Sequence, residues 1–219
     1  MISGIIFDID GTLLDSMPIW EDVGVRYLRS LGITPEPQLS QVLFPMTMEE
    51  GAAYIKSRYA LPQSTDEIQR SVLRLIHNFY TQEVSLKPGA AEFLQQAVQR
   101  HIPMVLATSG DADLALAALR RLGAADYFQG LFTCSQLHTS KHEPIIYETA
   151  AASVGTSPGE TAVFEDVRYA IQTAKRAGFY TVAVADAASS ADAPALKAEA
   201  DCYLTDYYHT SSFWKCIRP

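Results

Sequence analysis

Cysteine is scarce in this chain. Cys134, Cys202 and Cys216 are the three in 219 residues, odd in number and far apart. That usage offers neither a disulfide framework nor a zinc spacing, and it suits a reducing compartment. Basic charge is also short: Lys plus Arg total 17 against 25 Asp plus Glu, a formal net charge of −8. An acidic chain without a basic run is a poor partner for a nucleic-acid backbone or an anionic membrane surface. Phosphate, if bound, must be held by a few focused donors and a metal. No apolar run approaches the length of a membrane span, and neither a basic segment nor a cleavage site precedes Asp8. There is no internal repeat. The expectation is a soluble, cytoplasmic protein, a monomer or weak dimer, that binds neither nucleic acid nor membrane.

Hydrophobic residues make up 48% of the chain, enough to bury one large core or two modest ones. Trp20, Val23, Tyr27, Leu28 and Leu31 recur at helical steps up to Gly32, and 47–60 and 65–83 read as two further helices. Residues 16–86 therefore read as all-helical. The rest alternates. Strands are expected at Ile102–Ala107, Leu131–Thr133, Thr161–Phe164 and Tyr180–Ala185, with an edge strand near Asp201–Leu204. Helices are expected from Pro88-Gly89 to Arg100 and over 111–122, 143–154 and 167–177. Such alternation predicts an α/β fold, a Rossmann-like, doubly wound parallel sheet covered on both faces. The expected division is a core of 1–15 and 87–219 with a helical domain, 16–86, inserted after the first strand and suited to act as a lid.

The first strand carries the densest chemistry. Ile5-Ile6-Phe7 runs into Asp8-Ile9-Asp10-Gly11-Thr12, two carboxylates one residue apart. Strand residues two apart point the same way, so like charges meet unless a cation separates them or one is protonated. Ligands of such sheets bind at the carboxyl ends of the strands. Thr108 and Ser109 fall there after the second strand, and Glu165 and Asp166 after a later one. Several carboxylates at one edge suit a hard cation with oxygen ligands, magnesium by default. Lys141 could neutralise a phosphate oxygen, and the turn at Thr108-Ser109-Gly110 opens a helix whose amides could bind an anion. Plainer readings stand beside these. Asp-Gly is a common turn, Thr108 and Ser109 could be helix caps, Lys141 a solvated surface lysine, and Glu165 a partly exposed carboxylate supporting a ligand.

Asp8-Ile9-Asp10-Gly11-Thr12, Thr108-Ser109, Lys141 and Phe164-Glu165-Asp166 follow the order and rough spacing of the four motifs of the haloacid dehalogenase superfamily. The chain resembles that superfamily over about 1–205, nearest its β-phosphoglucomutase-like and phosphoglycolate-phosphatase-like members, and the helical insertion resembles its first cap class. The resemblance implies a magnesium-dependent phosphatase for a small-molecule phosphate ester. Asp8 would attack phosphorus and form an aspartyl-phosphate. Asp10 would protonate the leaving alcohol and then deprotonate the hydrolytic water. Asp8 and Asp166, the Asp10 carbonyl, and Glu165 directly or through water would hold magnesium. Thr108, Ser109 and Lys141 would hold the phosphoryl oxygens.

Some positions depart from the pattern. Val167 and Ala170 stand where many relatives have Ser and Gly, and His142-Glu143-Pro144-Ile145 replaces a Pro-x-Pro-Asp run after the lysine. Mutase relatives carry a His where this chain has Trp20, an Arg in the loop corresponding to 45–50, and a Lys on a later helix, near His77 here. Hydrolysis is therefore expected over mutase action, with Met17, Trp20, Met46 and Met48 lining an apolar substrate pocket or simply packing the insertion. A sugar phosphomutase, a phosphate-sensing domain and a catalytically retired binding protein are the competing readings.

Overall fold

Six strands form one parallel sheet in the computed structural model, which describes residues 2–216. They are β1 (Gly4–Phe7), β2 (Met104–Thr108), β3 (Leu131–Thr133), β4 (Thr161–Glu165), β5 (Tyr180–Val184) and β6 (Cys202–Leu204). The order is β3-β2-β1-β4-β5-β6, with every pair parallel. β1, β2 and β4 are buried throughout, as continuous apolar strands must be when helices cover both faces. The chain lays β2 and β3 on one side of β1, then crosses to lay β4, β5 and β6 on the other. The switch point of this doubly wound sheet thus lies between β1 and β4, the preferred place for a ligand. Register sets what meets there. Phe7 pairs with Phe164, and the Asp8 N–H donates to the Phe164 carbonyl at 3.0 Å, so Asp8 leaves the sheet beside Glu165.

Residues 16–84 form one compact unit, and those up to 15 and from 85 form the other. The first contains α1 (Met17–Ser30), α2 (Leu39–Leu43), α3 (Met48–Arg58) and α4 (Thr65–Asn78). Ser64 and Glu67 form a reciprocal capping box that starts α4, which buries Ile68, Val72 and Ile76 on one face. The predicted helix to 83 does not run regularly to its end. Phe79–Glu83 is a π-helical turn that buries both Phe79 and Tyr80. Arg26 of α1 holds it, pairing with Glu83 at 2.6 Å and lying 5.3 Å from the Phe79 ring centre.

In the sheet-bearing unit the two chain crossings are paired. Asp15 N–H donates to the Ser85 carbonyl at 3.0 Å and Lys87 N–H to the Leu13 carbonyl at 2.8 Å. The helices there are α5 (Ala90–Gln99), α6 (Ala112–Arg121), α7 (Ile145–Ser153), α8 (Arg168–Arg176), α9 (Ala193–Glu199) and α10 (Ser211–Trp214). Phe93 of α5 sits among Phe7, Phe164, Tyr207 and Phe213, and stacks on Trp214 at 4.7 Å between ring centres. The aromatic C-terminal segment therefore packs back on its own core. Gly89 permits this: its φ is +80°, and a Cβ there would lie 2.7 Å from the Tyr208 nitrogen. Among the described residues no helix is long and apolar enough to cross a membrane.

Candidate active site

Asp8, Lys141, Glu165 and Asp166 form one buried cluster at the carboxyl ends of β1 and β4. One oxygen from each of Asp8, Glu165 and Asp166 lies within 4.8 Å of the others. The Lys141 ammonium pairs with Asp8 Oδ1 and, at 2.6 Å, with Glu165 Oε1. Tyr147 of α7 donates its hydroxyl to the same Glu165 Oε1 at 2.8 Å. Thr12 donates to Asp166 Oδ1 at 3.0 Å, while its own carbonyl accepts from Tyr207 at 3.1 Å. Lys141 is only 4% exposed and Glu165 not at all, which removes the readings of a solvated lysine and a partly exposed carboxylate.

The charges in this cluster do not balance. With all three carboxyls ionised, one ammonium would leave two negative charges in a buried space, and proton uptake relieves that excess. Burial, with Asp8 and Asp166 nearby, pushes the Glu165 carboxyl up to about 8. Burial and then the Asp8 charge push Asp166 up to about 7, against the Thr12 hydrogen bond. Burial disfavours the charged form of Lys141, but Asp8 and Glu165 outweigh it and raise its pKa. Glu165 Oε2 is buried without a hydrogen-bond partner among the described residues. An orphan carboxylate oxygen and three carboxyls that can ionise together only beside added positive charge fit a divalent, oxygen-liganded cation.

Asp10 belongs to a second group, on the β2 side. A Cβ built on Gly110 would lie 2.7 Å from Asp10 Oδ2 and 3.2 Å from Thr108 Oγ1, so the glycine lets the backbone of this turn approach both. Gly110 N–H donates to Thr108 Oγ1 at 2.9 Å. Thr108 is buried, while Ser109 is exposed, with its hydroxyl 3.4 Å from Cys134 Sγ. Neither caps α6. Asp111 does, accepting from the amides of Asp113 and Leu114 at 2.9 and 3.0 Å. The expectation of open helix amides for an anion is corrected accordingly: Asp111 already occupies two of them. The anion-binding candidates narrow to the turn and Lys141.

In the helical unit, Trp20, Met46 and Met48 line one cavity of about 290 Å³, together with Leu43, Ile55 and Val72. Met17 is not part of its wall. Thr47, between the two methionines, forms a capping box with Glu50 and so fixes where α3 begins. Trp20 Nε1 donates to the Tyr80 hydroxyl at 3.3 Å.

Several supporting residues carry no usable signal in the sequence. Thr12 is visible only as part of the first motif, and Tyr147 and Tyr207 look like ordinary core aromatics. Lys87 forms a buried pair with Asp186 at 2.6 Å and also donates to the Ala185 carbonyl at 2.7 Å, just beyond β5.

The profile of the haloacid dehalogenase-like hydrolases matches residues 5–184. The chain belongs to this family. It is 31% identical over 214 residues to a validoxylamine A 7'-phosphate phosphatase of Streptomyces hygroscopicus subsp. limoneus, covering 98% of this chain and 97% of the relative. It is 29% identical to the β-phosphoglucomutase of Bacillus subtilis strain 168, over 84% of this chain and 83% of that one. The crystal structure of a candidate β-phosphoglucomutase from Thermotoga maritima shares the fold, with a TM-score of 0.85, 24% identity and coverage of 99% and 100% of the two chains.

Proposed function

We propose that this haloacid dehalogenase-like hydrolase is a cytoplasmic, magnesium-dependent phosphatase of a small organic phosphate ester, active as a monomer or weak dimer. The observation carrying this reading is the buried Asp8–Glu165–Asp166 cluster, three acids against the single ammonium of Lys141, which bridges Asp8 and Glu165. Asp8 and Asp166 side chains, the Asp10 carbonyl, and Glu165 directly or through water would hold the ion. Bound magnesium would supply neutralisation of the acidic cluster and of the phosphoryl oxygens.

Asp8 attacks phosphorus as the bond to the ester oxygen breaks, giving an aspartyl-phosphate. Asp10 gives its proton to the departing alkoxide. It then takes a proton from the water that attacks the intermediate, which releases phosphate and restores Asp8. Thr108, the Ser109 amide and the Lys141 ammonium hold the phosphoryl oxygens as charge shifts among them. Gly110 keeps Asp10 and Thr108 within reach of one turn.

Substrate choice is assigned to the helical insertion. Its cavity, with Trp20, Met46 and Met48 in the wall, suits an apolar moiety better than a second phosphate. The 45–50 loop carries no arginine, and by the resemblance to mutases Trp20 replaces their His while the region of their Lys falls near His77. Hydrolysis is therefore the reading, and validoxylamine A 7'-phosphate, the ester in the name of the Streptomyces relative, is the first to try. A panel of phosphate esters, assayed with and without magnesium and against Asp8→Asn, tests it. Magnesium-dependent phosphate release absent from Asp8→Asn is expected. Release that survives in Asp8→Asn would overturn the mechanism, and conversion of β-glucose 1-phosphate to glucose 6-phosphate would overturn the choice of hydrolysis.

A further inference from the structure

Lys141 must place its ammonium between Asp8 and Glu165, yet a turn rather than a strand or helix carries it. Several bonds of this turn are internal. Thr139 Oγ1 donates to Glu143 at 3.0 Å, Glu143 N–H to the Ser140 carbonyl at 3.0 Å, and His142 N–H to Ser140 Oγ at 3.4 Å. Beyond the turn, Thr139 N–H donates to the Cys134 carbonyl at 3.0 Å, and Thr173 Oγ1 approaches the His142 carbonyl at 3.3 Å. A further tie is a ring stack. The His142 imidazole lies on the Tyr169 ring with centres 4.2 Å apart and planes 20° from parallel. Both side chains are exposed, so burial alone does not account for their pairing.

Tyr169 stands in the first turn of α8, three residues after Asp166. The stack therefore joins the segment carrying Lys141 to the junction carrying Asp166. We propose that the His142–Tyr169 stack is a positioning element that holds the Lys141 turn against α8 and so fixes the ammonium in the acidic cluster. A proline after the lysine would restrain the turn covalently, by fixing its own φ and biasing the preceding residue to extended backbone. With His142 at that position, the aromatic contact supplies the restraint. The catalytic half of this inference rests on the phosphatase reading; the positional half does not.

Amide hydrogen exchange and steady-state kinetics on p-nitrophenyl phosphate with saturating magnesium test the two halves. Tyr169→Leu is expected to speed exchange of the 139–143 amides about tenfold and to lower kcat about tenfold. KM should stay within about twofold. Tyr169→Phe, which keeps the ring, should match the wild type in both. In a His142→Pro background Tyr169→Leu should have no further effect, because the restraint no longer passes through the stack. Unchanged exchange in Tyr169→Leu, or an equal loss in the His142→Pro background, would overturn the proposal. Faster exchange with unchanged kcat would overturn its catalytic half. Asp8→Asn run alongside separates these outcomes from failure of the phosphatase reading, since exchange in the turn does not depend on the reaction.

Discussion

Magnesium should change how the stability of this protein depends on pH. Without metal, Glu165 holds its proton up to about pH 8 rather than 4.5, and Asp166 up to about 7 rather than 3.8. Both folded-state values are raised, so the folded protein binds protons more tightly than the unfolded chain. Stability from these groups is full below about 4 and lost as pH rises through 7 and 8. Each pKa unit is worth about 1.4 kcal/mol, so a displacement of roughly three units on one group is about 4 kcal/mol. The two carboxyls share one field, and their effects are not summed. For a chain of this size that loss lowers Tm by roughly 10 °C. Magnesium held by this cluster would bind the deprotonated carboxylates, so with saturating ion the decline should flatten or reverse. Thermal unfolding from pH 5.5 to 8.5, in chelator and in magnesium, measures the difference, and Glu165→Gln should shrink the slope in chelator. Equal slopes with and without magnesium would refute the reasoning.

Other perturbations isolate single contacts. Gly110→Ala brings a methyl to 2.7 Å from Asp10 Oδ2, so kcat should fall at least about tenfold through displacement of Asp10. An unchanged kcat would mean that Asp10 is not needed at that position. Tyr147→Phe removes one of the two donors to Glu165 Oε1, and urea unfolding should show a loss of about 1–2 kcal/mol. No loss there would count against the cluster as drawn. Thr47→Ala breaks the capping box at α3 and should cost about 1 kcal/mol. It should also raise KM more than it lowers kcat, because it loosens the wall that Met46 and Met48 supply.

The alternation of strands with helices is legible because each buried strand is an apolar run ended by polar residues. Asp8, Thr108 and Asp166 stand out for that reason. Strand order is not legible, since every parallel crossover reads alike in sequence; only the pairing of β1 with β4 brings Asp8 beside Glu165, and only its pairing with β2 sets β1 beside the strand that ends at Thr108. Local competition also escapes notice. Asp111 takes the α6 amides rather than Thr108 or Ser109 because it stands immediately before the helix, at the N-cap position. The π-helical turn at Phe79–Glu83 depends on Arg26, more than fifty residues away, and no periodicity of α4 announces it. Tyr147 and Tyr207 read as core residues, and only their hydroxyls, placed by tertiary packing, reach Glu165 and Thr12.

Turnover through an aspartyl-phosphate should place phosphate on Asp8. Acid quenching during turnover of a phosphate ester in magnesium, followed by peptide mapping, tests it directly. Phosphate on the peptide containing Asp8, absent from Asp8→Asn, is the predicted result. Turnover without any phosphorylated enzyme, or with the phosphate on another residue, would contradict it.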